Sequence, residues 1–114
     1  MGTGGTVLLV TSDRLGEGAD ELGRILMKSF LNTVWDSETK PERIIFLNAG
    51  VRLAVEDSEV LDTLALLEAS GVAVLSCGTC LDYYNLREKL KAGQVTNMKA
   101  IVASLLNADR VIRV

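Results

Sequence analysis

Two cysteines stand three positions apart in the segment Cys77-Gly78-Thr79-Cys80, and the chain has no others. A cysteine thiolate is a nucleophile and a soft metal ligand, so such a pair can support sulfur transfer, redox exchange or metal binding. Free cysteines are also common as small buried apolar residues. The position of this pair, beside a glycine and directly after an apolar run, favours a function.

The residues around the pair predict a corner between a strand and a helix. Val72–Ser76 has the composition of a buried strand, which brings Cys77 to the edge of a sheet. Thr79 and Asp82 have the spacing of a capping box, which predicts a helix whose first residue is Cys80 and which ends near Gly93. A thiol at such a helix start faces unpaired N–H groups, and these favour the thiolate.

Three chemistries compete for the pair. Zinc is the weakest, because two thiolates fill half of a tetrahedral shell and the chain contains no histidine, so we expect no metal and no cofactor. A thioredoxin-like redox role suits the C-x-x-C spacing, but the single proline, Pro41, is badly placed to face the thiols. A sulfur carrier needs only one nucleophilic cysteine, which makes it the simplest interpretation.

Other polar residues follow predicted strands and are candidates for a pocket around the thiols. Ligands of open parallel sheets bind beyond the carboxyl ends of the strands. The candidates are Thr11, Ser12, Asp13, Asn48, Gly78, Thr79 and Asn97. Turns are polar in any protein, so only their expected proximity to Cys77 raises these residues above an ordinary loop.

Length and composition limit the function classes. A chain of 114 residues fits one domain, here residues 1–114. The net charge of −3 argues against nucleic-acid binding, and the absence of histidine excludes His-based triads. No apolar run approaches the length of a membrane span, and residues 1–5 lack the features of a signal peptide. We therefore expect a cytoplasmic protein with no membrane partner.

Strand-like runs alternate with helical periodicity along the chain. This alternation predicts an α/β fold with a mostly parallel sheet and helices on both faces. The first helix is predicted from Asp20 to about Trp35, and a second from about Ser58 to Ser70. After the helix that follows the cysteines, a fourth helix starts near Met98, and the closing strand, Arg110–Val114, carries charges typical of a sheet edge.

The first helix has a wide apolar circumference. We assign the core-facing side to Leu22, Ile25, Leu26, Phe30 and Val34. The remaining apolar residues, Met27, Leu31 and Trp35, then lie off that stripe. Because monomers seldom expose a large apolar patch, we expect a homo-oligomer built on helix faces.

Several segments together resemble one known family, the carboxy-terminal domain of YedF-type, sulfurtransferase-like selenium-metabolism proteins. They cover nearly the whole chain and read VTSDRLGEG from Val10, LGRILMKSF from Leu22, FLNAGV from Phe46, LSCGTCLD from Leu75, VTNM from Val95 and ADRVI from Ala108. That domain belongs to the wider DsrE/DsrF-like group. The resemblance implies a three-layer α/β/α fold with a mainly parallel, five-stranded sheet.

The resemblance also implies a function. Members of the wider group relay sulfur as a cysteine persulfide, often in oligomers, and their carrier cysteine follows the third strand, where this chain has Cys77. Our leading hypothesis is a persulfide carrier in which Cys77 is the nucleophile and Cys80 is a resolving or auxiliary thiol. Its partners would be sulfur-donor or sulfur-acceptor proteins, including a TusA-like domain that relatives carry and this chain lacks. Nothing in the residues distinguishes selenium from sulfur.

Two other function classes stay open. The chain can be a non-catalytic, oligomeric module that binds a small ligand or a protein. It can also be a dithiol oxidoreductase that uses the C-x-x-C spacing of Cys77 and Cys80.

Overall fold

A computed structural model describes residues 5–114 of the chain. The prediction that no signal peptide is present rests mainly on residues 1–4, which lie outside the described residues. The strands are β1 (Thr6–Val10), β2 (Arg43–Phe46), β3 (Ala73–Cys77), β4 (Gln94–Thr96) and β5 (Arg110–Arg113). The helices are α1 (Asp20–Asp36), α2 (Leu61–Ala69), α3 (Gly78–Tyr83) and α4 (Met98–Asn107), with short 3₁₀ segments at Asn48–Ala54 and Arg87–Lys89.

The five strands form one sheet in the order β4-β3-β2-β1-β5. Every neighbouring pair is parallel, with Val10 beside Phe46 and Phe46 beside Ser76. The last strand returns to pair with the first, Thr6 beside Arg110. The predicted parallel sheet and the edge position of the closing strand are therefore confirmed.

Apolar side chains leave the two faces of the sheet and build two cores. On one face, α1 and α2 pack against strand residues such as Leu8, Ile44 and Phe46. On the other face, Ile101 of α4 packs against Val7, Ile45 and Cys77. The alternation of side chains along each strand separates these two sets. The predicted three-layer α/β/α sandwich is confirmed.

The buried side of α1 differs from the predicted one. Gly23, Met27 and Leu31, spaced four residues apart, are buried, whereas Leu22 and Ile25 are more than half exposed. Leu26 is also exposed, and Phe30, Val34 and Trp35 pack at the margin of the core. The prediction was wrong because apolar residues cover more than half of the helix circumference, so periodicity alone cannot choose the stripe that faces the sheet.

The helix that follows the cysteines is much shorter than predicted. It ends at Tyr83 instead of near Gly93, since Asn85 takes a left-handed φ of 61°. The N–H of Leu86 then donates to the carbonyl of Leu81 at 2.8 Å, which is the pattern of a helix C-terminal cap. The predicted capping box is also wrong: Cys77 occupies the N-cap position, and no side chain caps the helix start.

The other boundaries shift by only a few residues. The second helix begins at Leu61 rather than near Ser58, and β3 extends one residue further, to include Cys77. Within residues 5–114, none of the helices combines the length and the apolar character that crossing a membrane requires.

Candidate functional site

The candidate site lies at the carboxyl ends of β2 and β3, which are adjacent strands. Cys77 is the last residue of β3, and Asn48 follows β2 after one intervening residue. Parallel strands bring these ends to the same edge of the sheet. Cys80, in the first turn of α3, consequently lies next to Asn48.

Cys77 is a buried residue. Its relative exposure is 2%, and it packs with Val7, Ile45 and Ile101 in the core under α4. In this conformation its thiol is shielded from a molecule in solution. A role in chemistry therefore has to pass through a neighbouring group or a local opening.

Cys80 is the more accessible of the two thiols and contacts both cores. It lines a surface depression of about 370 Å³ together with Asn48, Thr79, Tyr83 and Tyr84. The backbone N–H of Asn48 donates a hydrogen bond to the Cys80 sulfur at 3.1 Å. Both cysteines are free thiols. The depression therefore exposes the Cys80 sulfur, and the Asn48 N–H is a hydrogen-bond donor to it.

The pKa of Cys80 is raised above its ordinary value. Partial burial is the main cause, because it disfavours the charged thiolate. The Asn48 N–H lowers the pKa, and the neighbouring Cys77 raises it again through a hydrogen bond and through charge repulsion. The expectation that this segment favours the thiolate is therefore not met for Cys80 at rest. The six-residue α3 also offers little macrodipole to stabilise an anion.

Asn48 is held in a conformation that few residues adopt. Its φ is 52°, in the left-handed region that asparagine tolerates better than most residues. The Tyr84 hydroxyl donates to its side-chain oxygen Oδ1 at 2.8 Å. The Arg52 guanidinium lies over the Tyr84 ring, 4.7 Å from the centroid, and the Tyr83 ring meets the Tyr84 ring edge-on. These contacts fix the direction of the N–H that reaches Cys80.

A second charged contact covers the backbone between the cysteines. Arg87 donates from Nε and Nη2 to the two carboxylate oxygens of Asp82, at 2.7 and 3.0 Å. This pair lowers the pKa of Asp82 and raises that of Arg87. A Cβ on Gly78 would approach the Arg87 guanidinium to 2.7 Å and Thr96 O to 3.3 Å. Gly78 thus contributes room for close packing and no side chain to the depression.

Four of the predicted pocket residues lie elsewhere. Thr11 donates through its hydroxyl to the carbonyl of Val114, at the opposite side of the sheet. The Ser12 hydroxyl accepts from the Arg14 N–H, and Asp13 lies 3.6 Å from the Arg14 guanidinium. Asn97 caps α4 by accepting from the Ala100 N–H. None of these four lines the Cys80 depression, although Asp13 lines a neighbouring groove together with Arg52 and Tyr84.

Sequence reasoning missed the two tyrosines and Arg52. They follow no strand directly. The tyrosines line the depression, and Arg52 reaches the Tyr84 ring, because α3 and the Asn48–Ala54 segment pack together. One signal was available: the chain has only two tyrosines, and both come within four residues of Cys80. Adjacent to the depression, Tyr84 and Arg52 also line a larger groove of about 670 Å³.

The donor set at the site gives little support to a resident metal. Within residues 5–114, no group of three or more Cys, Asp or Glu side chains converges as a metal site would require.

The fold is shared with solved structures of low sequence identity. The ychN protein from E. coli superposes with a TM-score of 0.71 at 15% identity, covering 98% of this chain and 100% of that one. The protein of unknown function MTH1491 from Methanobacterium thermoautotrophicum gives a TM-score of 0.66 at 21% identity, covering 93% and 97%. No curated protein sequence is significantly similar to this chain. Its sequence does match the DsrE/DsrF-like family over residues 8–114, and the chain therefore belongs to that family.

Proposed function

We propose that this protein is a sulfurtransferase-like carrier that holds sulfur as a persulfide on the Cys77–Cys80 pair. Membership of the DsrE/DsrF-like family, which is associated with sulfur relay, supports this class of function. The observation that carries the proposal is the Cys80 sulfur in an open depression, with the Asn48 N–H directed at it at 3.1 Å.

The roles of the two thiols follow from their burial. From the sequence we expected Cys77 to be the nucleophile and Cys80 the auxiliary thiol. Because Cys77 is only 2% exposed and Cys80 opens on the depression, we now assign the first contact with a sulfur donor to Cys80. Cys77 takes the role of the resolving thiol behind it.

The transfer step is a balanced exchange. The Cys80 thiolate attacks the outer sulfur of a donor persulfide, the donor S–S bond breaks, and the donor leaves as a thiolate. The new S–S bond joins Cys80 to the transferred sulfur. An acceptor thiolate then attacks that outer sulfur, and Cys80 leaves as a thiolate. The Asn48 N–H stabilises the negative charge on Cys80 at the start and at the end of the cycle.

Cys77 provides a second route by which the sulfur can be released from Cys80. Attack of the Cys77 thiolate on the Cys80 sulfur closes a Cys77–Cys80 disulfide and releases hydrosulfide. A thiol reductant then restores both cysteines. The positions of the two cysteines support this step, because Cys77 ends β3 and Cys80 lies in the first turn of the helix that follows, both as free thiols.

The same observation favours a second candidate, a dithiol oxidoreductase. In that case the pair cycles between two thiols and a disulfide, and no added sulfur is retained on the protein.

The resemblance to YedF-type proteins extends the first candidate to selenium metabolism. This resemblance also suggests a TusA-like domain as the partner that donates or accepts the sulfur.

Intact mass spectrometry separates these candidates. The wild type, Cys77→Ser and Cys80→Ser are incubated with a cysteine desulfurase and cysteine, and the masses are read with and without a thiol reductant. We expect reducible added sulfur on the wild type and on Cys77→Ser, and none on Cys80→Ser. Added sulfur on Cys80→Ser but not on Cys77→Ser would return the carrier role to Cys77.

Two further outcomes reject the carrier. Loss of two hydrogens from the wild type, with no added sulfur on the wild type or on Cys77→Ser, would identify the oxidoreductase. No change in any of the three proteins would leave a binding module as the function to pursue.

A further inference from the structure

The reactivity of Cys80 depends on a hydrogen-bond donor that another residue provides. The Asn48 N–H, from the segment that follows β2, donates a hydrogen bond to the Cys80 sulfur at 3.1 Å. Asn48 has a left-handed φ of 52°, and the peptide that carries its N–H is also held by the Gly50 N–H, which donates to the Leu47 carbonyl at 2.9 Å. A displacement of Asn48 weakens the hydrogen bond to the sulfur.

Tyr84 is the residue that fixes Asn48 from the other side. Its hydroxyl donates to Asn48 Oδ1 at 2.8 Å. Asn48 is therefore bonded to Tyr84 through its side chain and to Cys80 through its backbone N–H. The Tyr84 ring is itself held, with the Arg52 guanidinium 4.7 Å from its centroid and the Tyr83 ring edge-on at 5.2 Å. An oriented hydroxyl on a fixed ring restricts Asn48 more than a mobile side chain would.

We propose that Tyr84 is a positioning residue that controls the reactivity of Cys80 through Asn48. This inference rests on the proposed role of Cys80 as the accessible thiol, and it adds the group that tunes that thiol. The Tyr84 hydroxyl donates to Asn48 rather than to the Cys80 sulfur. It acts by keeping the Asn48 N–H on the Cys80 thiolate, where a hydrogen bond to the charged form favours ionisation.

The chain offers a closely matched control. Tyr83 lies next to Tyr84, lines the same depression and is exposed, but Tyr84 alone donates to Asn48. Tyr84→Phe removes one hydroxyl and keeps the ring under Arg52, and Tyr83→Phe removes an equivalent hydroxyl that has no part in the network. A second variant, Asn48→Gly, tolerates the left-handed φ and keeps the N–H while it deletes the accepting side chain.

The experiment measures the rate of alkylation of Cys80 by a neutral reagent, iodoacetamide, between pH 6.5 and 10.5 in a Cys77→Ser background. We expect the rate at neutral pH to fall about three-fold in Tyr84→Phe, as for the loss of one modest hydrogen bond. The midpoint of the pH profile should move to higher pH. Tyr83→Phe should match the parent, and Asn48→Gly should behave like Tyr84→Phe.

The double variant Asn48→Gly/Tyr84→Phe tests whether the two residues act as one unit. Both single changes break the same hydrogen bond, so we expect the double variant to be no slower than the slower single one. Thermal melts of all the variants check that each is folded. An unchanged pH profile in folded Tyr84→Phe, or equal effects of the two tyrosines, would overturn the proposal.

Iodoacetamide requires no sulfur donor, so this result is separate from the proposed function. If sulfur transfer fails while the pH profile still shifts, the carrier proposal falls and the role of Tyr84 stands. If sulfur transfer succeeds while the profile stays unchanged, only the role of Tyr84 falls.

Discussion

The two cysteine side chains occupy different environments although they are three residues apart. Cys77 lies in the core beneath α4, whereas Cys80 meets the surface beside Asn48. Such a pair joins a protected thiol to an accessible one, which suits a carrier that must hold a reactive sulfur and later release it.

Alkylation should be faster at Cys80 than at Cys77. The burial of Cys77 requires a local opening before it reacts, so we expect a ratio of at least about ten in the native protein. Peptide mapping after brief treatment with iodoacetamide gives the ratio. Denatured protein is the control, because the two thiols should then react at similar rates, and native labelling that begins at Cys77 would reverse the proposed roles.

The alkylation rate of Cys80 should keep rising up to a higher pH than the rate of an ordinary thiol does. Its raised pKa means that the uncharged thiol persists above pH 8.5, about the usual cysteine value. The raised pKa also makes the free energy of unfolding depend on pH. The Cys80 thiol favours the folded state at lower pH, and its contribution to stability is lost as the pH rises through the raised pKa. An alkylation midpoint at or below the value of a free cysteine peptide would contradict this direction.

Purified protein should contain no stoichiometric zinc. Two cysteines and no histidine in the chain leave a tetrahedral site half-filled. Elemental analysis after dialysis checks this, with Cys77→Ser/Cys80→Ser as the control. About one zinc per two chains, lost in the double variant, would indicate a four-thiolate site between subunits and would contradict the carrier as described.

At the scale of elements, the Asn48–Ala54 segment positions the site. It carries Asn48 and Arg52, and it packs against α3 and β3. Its approach to the sheet depends on Gly50, because a Cβ there would overlap the carbonyl oxygen of Val10 and meet the Ser12 nitrogen at 3.4 Å. The backbone atoms that Gly50 contacts belong to the sheet and its edge, where little movement is available.

Gly50→Ala should therefore destabilise the fold by about 2 to 3 kcal/mol, as for overpacking against a rigid neighbour. It should also slow the alkylation of Cys80, since Asn48 lies in the displaced segment. Gly16→Ala is the control: Gly16 has a φ of 81° and nothing within 4 Å of an added Cβ, so only backbone strain of about 1 kcal/mol applies. Urea unfolding gives both values, and equal losses would show that the close contact at Gly50 is unimportant.

The elements themselves were largely predictable, whereas their contacts were not. Runs such as Thr6–Val10 and Ala73–Cys77 are largely apolar on both faces, which is typical of a buried parallel strand. The C-x-x-C segment could be placed at a strand end for the same reason. The short α3 and the contact between Tyr84 and Asn48 depend on a left-handed Asn85 and on tertiary packing, which carry no periodic signal.

At the scale of the whole molecule, two helices expose apolar side chains on opposite layers. Leu22, Ile25 and Leu26 are exposed on α1, and Met98, Val102 and Leu106 are exposed on α4. These residues replace Met27 and Leu31, which are buried, as the candidates for assembly. Exposed apolar residues at helical spacing are typical of a surface that is covered in an oligomer.

We predict a homo-oligomer, a dimer or a trimer, at micromolar concentration. Leu22→Glu/Ile25→Glu should dissociate it if α1 forms the contact, and Val102→Glu/Leu106→Glu should do so if α4 does, because a buried unpaired charge opposes association. Leu66→Glu, an exposed apolar position on α2, is the control. Sedimentation equilibrium measures the mass, and a monomeric wild type would remove the assembly while leaving the chemistry of Cys80 in place.

The pairing of β5 with β1 also sets an order of folding. The Thr11 hydroxyl donates to the Val114 carbonyl across 103 positions, so this edge of the sheet closes only after residues 110–114 have been synthesised. During translation, β1 to β4 with both cysteines can collapse first, because their contacts are closer in sequence. Until β5 arrives, the apolar β1 presents an unpaired edge, and a nascent chain stalled at that stage is exposed to aggregation through this strand.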